Sequence, residues 1–182
     1  MTEITDQQLL QNFKAGNKEQ AFEMIVKKYQ ERLYWHIRKI IISHDDTDDV
    51  LQNVFIKVWN GLQDFRGDAQ IFTWLYRIAT NESITFLNSK RTKFLVPIVN
   101  VEKQLSETLE TDPFFNGDEI QKKLQKAILT LPEKQRIVFN MKYFEEMKYE
   151  EMSEILETSV GALKSSYHYA VQKIEKYFEI NQ

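Results

Sequence analysis

The chain has 182 residues, of which 42% are hydrophobic and 28% charged, and its formal net charge is −3. This length allows one domain or two small ones, and the hydrophobic content favours a packed core over wholesale disorder. The absence of cysteine excludes a disulfide framework and a cysteine-ligated zinc site.

No apolar run approaches the roughly 20 residues that span a bilayer. The N-terminal stretch Met1–Asp6 is polar and has no signal-peptide core. We therefore expect a soluble, cytoplasmic protein.

The slight acidic balance limits how the chain could bind DNA. A protein that binds DNA alone usually gains affinity by neutralising phosphates with a surplus of basic residues. This chain has 24 Lys and Arg against 27 Asp and Glu. If it binds DNA, we expect a larger partner to supply part of the affinity.

The pattern predicts an all-α fold, because only 5 Gly and 3 Pro are present and apolar residues recur at helical spacing. Thr5 is a plausible N-cap of the first helix, with Gly16 as its stop signal. The second helix begins near Lys18, places His36 at the edge of its apolar stripe and ends at Ile42. Its stripe comprises Phe22, Ile25, Val26, Tyr29, Leu33 and Ile37.

A third helix follows an acidic cluster, and Asp45 or Asp46 is its predicted cap. Its stripe repeats almost perfectly and comprises Val50, Leu51, Val54, Phe55, Val58, Trp59 and Leu62. The opposite face is polar, and its residues are Asp48, Asp49, Gln52, Asn53 and Lys57. A partner-binding patch or a solvated first turn is favoured here over a magnesium site, since no second carboxylate set faces the cluster.

A fourth helix is predicted after the loop Leu62–Asp68. It buries Ile71, Ile78 and either Trp74 or Leu75, whereas Thr73, Arg77, Thr80 and Asn81 point elsewhere. Flat side chains interleaved with cations suit unstacked bases, and the candidates are Phe72, Trp74, Tyr76, Arg77 and Asn81. The alternative for Trp74 is an ordinary core position.

The regular pattern fails between about Thr92 and Asp118. From Glu102 to Glu119 there are six acidic residues and one basic residue, Lys103. This composition predicts an acidic linker between two domains. Phe94–Val99 is apolar, and we expect it to be extended.

The remaining chain is helical again. One helix runs from about Glu119 to Leu129, and Pro132 opens another that ends near Phe144. Two short units follow, joined by Leu156–Ser159, and this spacing predicts a helix-turn-helix with Ser159 or Thr158 capping the longer second helix. The exposed face of that helix comprises Gly161, Lys164, Ser165, His168, Gln172 and Lys173. A simple helical hairpin with a solvated face is the alternative.

Catalytic signals are missing from the sequence. The three histidines, His36, His44 and His168, lack ligand spacing, and neither a nucleophile motif nor a phosphate-binding glycine loop is present. We therefore expect no enzyme activity, cofactor or metal.

Three of these segments together resemble a family. Asp46–Trp59, Phe65–Asn81 and the pair Leu131–Arg136 with Val160–Ser165 are similar, in this order, to bacterial RNA polymerase sigma factors of the sigma-70 family, in the extracytoplasmic-function group. The resemblance covers nearly all of the chain except the linker. It implies an N-terminal domain at 1–92, a linker at 93–117 and a C-terminal helix-turn-helix domain at 118–182.

The resemblance also implies a function for each surface. The chain would bind the clamp helices and flap of core polymerase, recognise double-stranded and melted promoter DNA, and be held by an anti-sigma protein. Polymerase would contact Asp48, Asp49, Gln52, Asn53 and Lys57. The minus-ten element would contact Phe65, Arg66, Trp74, Arg77, Asn81, Lys90 and Arg91. The minus-thirty-five element would contact Ser159, Val160, Gly161, Lys164, Ser165, His168, Tyr169 and Lys173.

One departure and one alternative accompany this resemblance. The family's reading helix usually carries several arginines, whereas this chain has Ser166, Tyr169 and Val171 where they are common. The alternative is a conventional helix-turn-helix regulator that binds DNA without core polymerase.

Overall fold

The computed structural model describes residues 5–65, 69–94, 107–109 and 119–181, with the side chains of 91–94 left out. Within these ranges all regular structure is helical, which confirms the predicted fold class. Residues 107–109 form a short helical segment. The longer helices are α1 (Asp6–Lys14), α2 (Lys18–Ile41), α3 (His44–Gly61), α4 (Ile71–Phe94), α5 (Glu119–Leu129), α6 (Glu133–Tyr143), α7 (Tyr149–Leu156) and α8 (Val160–Ile180).

Local signals set most helix ends. Thr5 caps α1 in a capping box with Gln8, as predicted. Gly16 follows α1 with a φ of +87°, a conformation that favours glycine. The predicted cap of α3 was wrong: Ser43 is the N-cap, and its hydroxyl accepts a hydrogen bond from the Asp46 backbone N–H at 3.4 Å. Asp45 and Asp46 instead lie in the first turn, where their charge suits the helix dipole.

Helices α1 to α4 pack around the predicted apolar stripes. Leu33, Val54 and Leu75 are each 0% exposed. Leu75 therefore takes the buried position that the sequence left open between it and Trp74. Trp74 lies at the core's edge, half-buried.

Two polar residues of α4 contradict the sequence pattern. Thr73 and Thr80 were expected to point away from the core, yet both are 1% exposed. The Thr80 hydroxyl donates to the Tyr76 carbonyl at 2.7 Å, so its buried polarity is satisfied within the helix. His36, predicted at the stripe's edge, is also buried.

Helices α5 to α8 form a second helical half. Phe139 and Tyr167 stack at 5.7 Å between ring centroids, next to buried Ala127, Ile128 and Ile174. The turn between α7 and α8 is shorter than predicted and runs from Glu157 to Ser159. Glu157 has a φ of +52°, in the left-handed region that commonly ends a helix.

The two halves are in contact. Helix α6 packs on α2, and α7 packs on α4. Leu109 lies against Ile42 and Leu129, in a small buried cluster. Phe94 is the last residue of α4 rather than the start of an extended segment. The remainder of that segment, and most of the linker, lie outside the described residues.

Candidate nucleic-acid and protein interfaces

Helix α3 presents a polar face to solvent. Val50, Val54 and Val58 turn inward, with Leu51 and Phe55 packed at the edge of the core, so the polar residues of the helix lie on the opposite side. Asp49, Gln52, Asn53 and Lys57 are exposed, and Asp48 is half-exposed. All five predicted polymerase-binding residues thus share this face.

Other contacts modify the charge of the face. Lys57 is paired with Glu82 at 2.5 Å, so its cation is partly neutralised. Asp48 lies 3.7 Å from the His44 imidazole. The other polar groups of the face are the Asp49 carboxylate and the side-chain amides of Gln52 and Asn53. These groups suit a basic partner surface.

Ile56 belongs to the same face, and our sequence reasoning did not single it out. Its side chain is 58% exposed, although it is a large apolar residue. The sequence did contain a signal: Ile56 lies outside the apolar stripe of α3, four residues after Gln52 and three after Asn53. This spacing places it on the polar face. Single exposed apolar residues are common on protein surfaces, so Ile56 is notable here only because it lies among the predicted polymerase-binding residues.

A second surface lies at the end of α3 and the start of α4. The rings of Phe65 and Trp74 contact each other at 4.8 Å between centroids. A Cβ at Gly61 would lie 3.1 Å from the Trp74 ring, so the small residue there makes room for the indole. Both aromatic residues are half-buried, so each remains partly accessible to solvent.

Trp74, Arg77 and Asn81 follow one another along α4 at helical spacing. Asn81 is exposed and Arg77 half-exposed. The Arg77 guanidinium donates to the Glu154 carbonyl at 2.6 Å and lies 3.6 Å from the Glu157 carboxylate. This cation is therefore occupied by α7 and the turn after it.

The other predicted minus-ten residues are not gathered at this place. Lys90 is paired with Asp46 at 2.5 Å, at the start of α3. Arg66 lies outside the described residues, as does the Arg91 side chain. The structure thus brings together Phe65, Trp74, Arg77 and Asn81.

Helix α8 carries the third surface. Ser159 caps it by accepting a hydrogen bond from the Ala162 backbone N–H at 3.3 Å. Val160 is half-buried, and the exposed predicted residues comprise Ser159, Gly161, Lys164, Ser165, His168, Tyr169 and Lys173. All eight predicted minus-thirty-five residues lie on this helix or its cap.

Both lysines of this face contact residues outside α8. The Lys164 ammonium lies 5.7 Å from the Tyr149 ring centroid, and Lys173 donates to the Gln135 side chain at 2.9 Å. Tyr169 is 55% exposed. The face therefore offers hydroxyl, imidazole and ammonium groups at the spacing of a helix that reads a major groove.

The described residues hold no cluster of three or more histidine and carboxylate side chains that could bind a metal. Over the same ranges, no helix combines the length and apolarity needed to cross a membrane.

Two family models match the chain. The model described as Sigma-70 region 2 matches residues 25–93, which include most of α2, all of α3 and nearly all of α4. The model described as Sigma-70, region 4 matches residues 121–174, from α5 into α8.

Curated relatives match over almost the full length. The RNA polymerase sigma-H factor of Pseudomonas aeruginosa is 31% identical, over 97% of this chain and 95% of that protein. The ECF RNA polymerase sigma-E factor of Escherichia coli K12 is 28% identical, over 95% of this chain and 94% of that protein.

Solved structures share the fold. CnrH in complex with the cytosolic domain of CnrY has a TM-score of 0.71 and 22% identity, over 97% of this chain and 99% of that one. The sigma factor RpoE of Bartonella quintana, in complex with the anti-sigma factor NepR, has a TM-score of 0.68 and 16% identity. Its match covers 88% of this chain and 98% of that one.

Proposed function

Because the chain belongs to the sigma-70 family of bacterial RNA polymerase sigma factors, in its extracytoplasmic-function group, we propose a role for each of its three exposed surfaces. The chain is a sigma factor that binds core RNA polymerase and directs promoter-specific transcription initiation. One observation carries this function: regions 2 and 4 match in family order, one in each helical half. The region 2 match disfavours a conventional helix-turn-helix regulator, which would not need a polymerase-binding half.

We assign residues 1–92 to polymerase binding and promoter melting, 93–117 to the linker, and 118–182 to upstream recognition. On α3, Asp48, Asp49, Gln52 and Asn53 pair with basic and polar groups of the clamp helices. Lys57 contributes at the edge of this surface. Docking on polymerase localises a chain of net charge −3 on DNA that the enzyme already holds.

The aromatic surface of α4 acts on the minus-ten element. Phe65 and Trp74 support the edge of the melted DNA by stacking, and Asn81 contributes to a pocket for one extruded base. Extruding a base costs a few kcal/mol, which stacking and pocket contacts offset. Arg77, Lys90, Arg66 and Arg91 hold backbone phosphates.

Helix α8 reads the minus-thirty-five element in the major groove. Lys164, Ser165 and His168 reach base edges, and the capped helix N-terminus with Gly161 approaches a phosphate. The outer residues Ser159, Val160, Tyr169 and Lys173 position the helix on the DNA. The lack of arginines at Ser166, Tyr169 and Val171 implies a base preference unlike that of arginine-rich readers.

The partners follow from these surfaces. They are core polymerase through its clamp helices and flap, promoter DNA before and after melting, and an anti-sigma protein. The solved neighbours in complex with NepR and CnrY support this last partner. The chain acts in the cytoplasm, where polymerase is, and we assign it no catalytic step, cofactor or metal.

The test is run-off transcription with purified core polymerase on genomic fragments, using the Asp48→Lys/Asp49→Lys double variant. Reversing both charges places lysines against a basic partner surface, so we expect at least a tenfold loss of run-off product and of co-elution with core enzyme.

The matched control is Glu23→Lys/Glu31→Lys, which reverses two exposed acids on α2. Both variants move the net charge from −3 to +1, so non-specific attraction to DNA is equal. The proposal fails if the wild-type chain does not co-elute with core polymerase, or if both variants lose binding equally.

A further inference from the structure

The turn between α2 and α3 has a backbone conformation that residues with a side chain rarely adopt. Only Ile42 and Ser43 lie between Ile41, the last residue of α2, and His44, the first residue of α3. Ile42 has a φ of +70° and a ψ of −42°, and the Ser43 N–H donates to the Ile41 carbonyl at 2.9 Å. A hydrogen bond across one residue, with these angles at that residue, defines a γ-turn of the rare and strained form.

The residue type at this position makes the conformation more costly. Glycine adopts a positive φ readily because it has no Cβ, whereas a residue branched at Cβ is a clear outlier there. Among the described residues, the non-glycine positions with positive φ are Ile42, Glu146 and Glu157. Of these three, Ile42 is the one branched at Cβ, so the surrounding structure must hold it in this conformation.

Burial of the Ile42 side chain supplies this restraint. The side chain is 1% exposed and belongs to one buried cluster with Leu109 and Leu129. Leu129 is the last residue of α5, and Leu109 belongs to the short helical segment 107–109. If the turn relaxed to a negative φ, the Ile42 Cβ would point elsewhere and the apolar cluster would be exposed to water. Packing against this leucine pair therefore opposes the backbone strain.

The strained turn also determines how α3 begins. The Ser43 carbonyl accepts from the Thr47 backbone N–H at 3.0 Å and from the Thr47 hydroxyl at 2.7 Å. The Ser43 side chain caps the helix. Ser43 is thus fixed to the first turn of α3, and its backbone is joined directly to Ile42. Rotation at Ile42 would therefore move the cap relative to the helix.

The effect of such a movement falls on the start of α3. Val50 and Val54 are buried and anchor the rest of the helix in the core. Movement of Ser43 would remove its hydroxyl and its carbonyl from the first turn together, and an uncapped first turn frays. Asp48 and Asp49 follow directly on that turn, at one end of the face assigned to polymerase.

We propose that Leu109 and Leu129 are positioning residues for α3: they hold Ile42 in the strained turn, and that turn holds the cap of α3 in place. The consequence for polymerase affinity rests on the proposed sigma-factor function, because it takes α3 as the polymerase-binding helix. The effect of the leucine pair on the turn and on the cap does not depend on that function.

The first test compares glycine with alanine at Ile42 by urea denaturation. Both substitutions remove the contact with the leucine pair, but only glycine adopts the positive φ without strain. We therefore expect Ile42→Gly to be at least as stable as Ile42→Ala. The matched control is Ile41, which is buried at the end of α2 and has no positive φ. There alanine should be the more stable substitution, as it is in most helices. If alanine is the more stable at both positions, the turn is not strained and the proposal fails.

The second test measures hydrogen exchange of the Ser43 and Asp46 amides by NMR in the free chain. The first amide donates to the Ile41 carbonyl and the second to the Ser43 hydroxyl. Leu109→Ala leaves α2 and α3 unchanged in sequence, yet it should speed exchange of both amides by about tenfold. Leu129→Ala should act in the same way.

The matched control for these variants is Leu124→Ala. It truncates another leucine of α5, which packs in the core of the C-terminal half and not against the turn. Exchange of the Ser43 and Asp46 amides should stay as in wild type. Unchanged exchange in Leu109→Ala, or equal acceleration in Leu124→Ala, would overturn the proposal. This comparison remains informative if the Ile42 variants fail to fold.

The double variant Ile42→Gly/Leu109→Ala distinguishes positioning from simple packing. Glycine holds the turn without the leucine pair, so positioning predicts that the second substitution restores slow exchange of both amides, to within about threefold of wild type. Packing alone predicts the opposite, because a second lost side chain enlarges the cavity and further speeds exchange. The latter result would contradict the proposal.

Affinity for purified core polymerase then separates this inference from the proposed function. We expect Leu109→Ala to weaken binding by about threefold or more and the double variant to recover it, because fraying of the first turn competes with binding. If the wild type binds and Leu109→Ala binds equally well, the leucine pair does not position the binding face. If the amides respond as expected but no variant, including wild type, binds core polymerase, the sigma-factor function is contradicted and the effect on the turn stands.

Discussion

Ile56 is the residue of α3 for which we predict a contribution to binding from an apolar contact. It is the one large apolar residue among the polar groups on the outer face of α3, and it is 58% exposed. Burying an aliphatic side chain against a partner contributes about 0.8 kcal/mol per methylene. Ile56 is therefore expected to anchor the contact that the surrounding polar residues orient.

Ile56→Ala should weaken binding to core polymerase by about tenfold or more, because it removes most of the buried apolar surface of this residue. Its effect on the free energy of unfolding should stay within about 0.5 kcal/mol, because the side chain is exposed in the free chain. Binding of labelled variants to immobilised core enzyme measures the affinity. Urea denaturation measures the free energy of unfolding.

The matched control is Ile120→Ala, which truncates an isoleucine that is 71% exposed on α5. It should leave polymerase affinity unchanged. Equal affinity of the Ile56 variant and wild type would show that the contact is purely polar.

Helix α3 is the element to which we assign polymerase binding, and the Ser43 hydroxyl caps its N-terminus. Ser43 accepts from the Asp46 backbone N–H, and its own carbonyl accepts from Thr47. The first turn then holds Asp46 where it pairs with Lys90 of α4. Capping therefore positions the acidic face as well as beginning the helix.

Ser43→Ala should lower the free energy of unfolding by about 1 kcal/mol, since the cap acceptor is lost. Urea denaturation followed by circular dichroism measures the change. Ser43→Asp restores an acceptor at the helix N-terminus and should remain close to wild type. If alanine and aspartate behave alike, the Ser43 hydroxyl does not cap α3.

At the scale of the whole molecule, the proposed function requires that polymerase supply part of the affinity for DNA. Its net charge of −3 provides little general attraction to phosphates, and the Arg77 guanidinium already contacts the Glu154 carbonyl and the Glu157 carboxylate. Both features are expected to weaken DNA binding by the free chain. Under the proposed function, polymerase supplies the missing attraction.

The free chain should therefore bind a promoter duplex with a Kd no tighter than about 10⁻⁴–10⁻⁶ M near physiological salt, the range of non-specific binding. The complex with core enzyme should bind the same duplex specifically, with a Kd of about 10⁻⁸ M or tighter. Fluorescence anisotropy with a labelled promoter measures both. Tight, sequence-specific binding by the free chain would contradict this division of affinity.

The sequence by itself determined the helices, their buried stripes and the order of the two halves. These features are local: helical periodicity identified Val50, Val54 and Val58 as a buried face, and capping chemistry identified Thr5 and narrowed the cap of α8 to Ser159 or Thr158, of which Ser159 is the cap. The sequence also placed the polar residues of α3 on one face, because the spacing of residues along a helix determines the side on which each side chain lies. The predicted cap of α3 was wrong because several neighbouring polar residues could each have begun the helix.

Only the tertiary structure decided how the halves meet. His36 and Glu145 are 109 residues apart, and nothing in the periodicity of α2 indicates that an edge histidine has a partner beyond its own helix. Thr80 is polar and was assigned to the surface, yet it is buried, because its hydroxyl donates to the Tyr76 carbonyl within α4 and lies 2.9 Å from His36 Nε2. Such contacts depend on the packing of distant helices, and local sequence patterns do not encode which helices will touch.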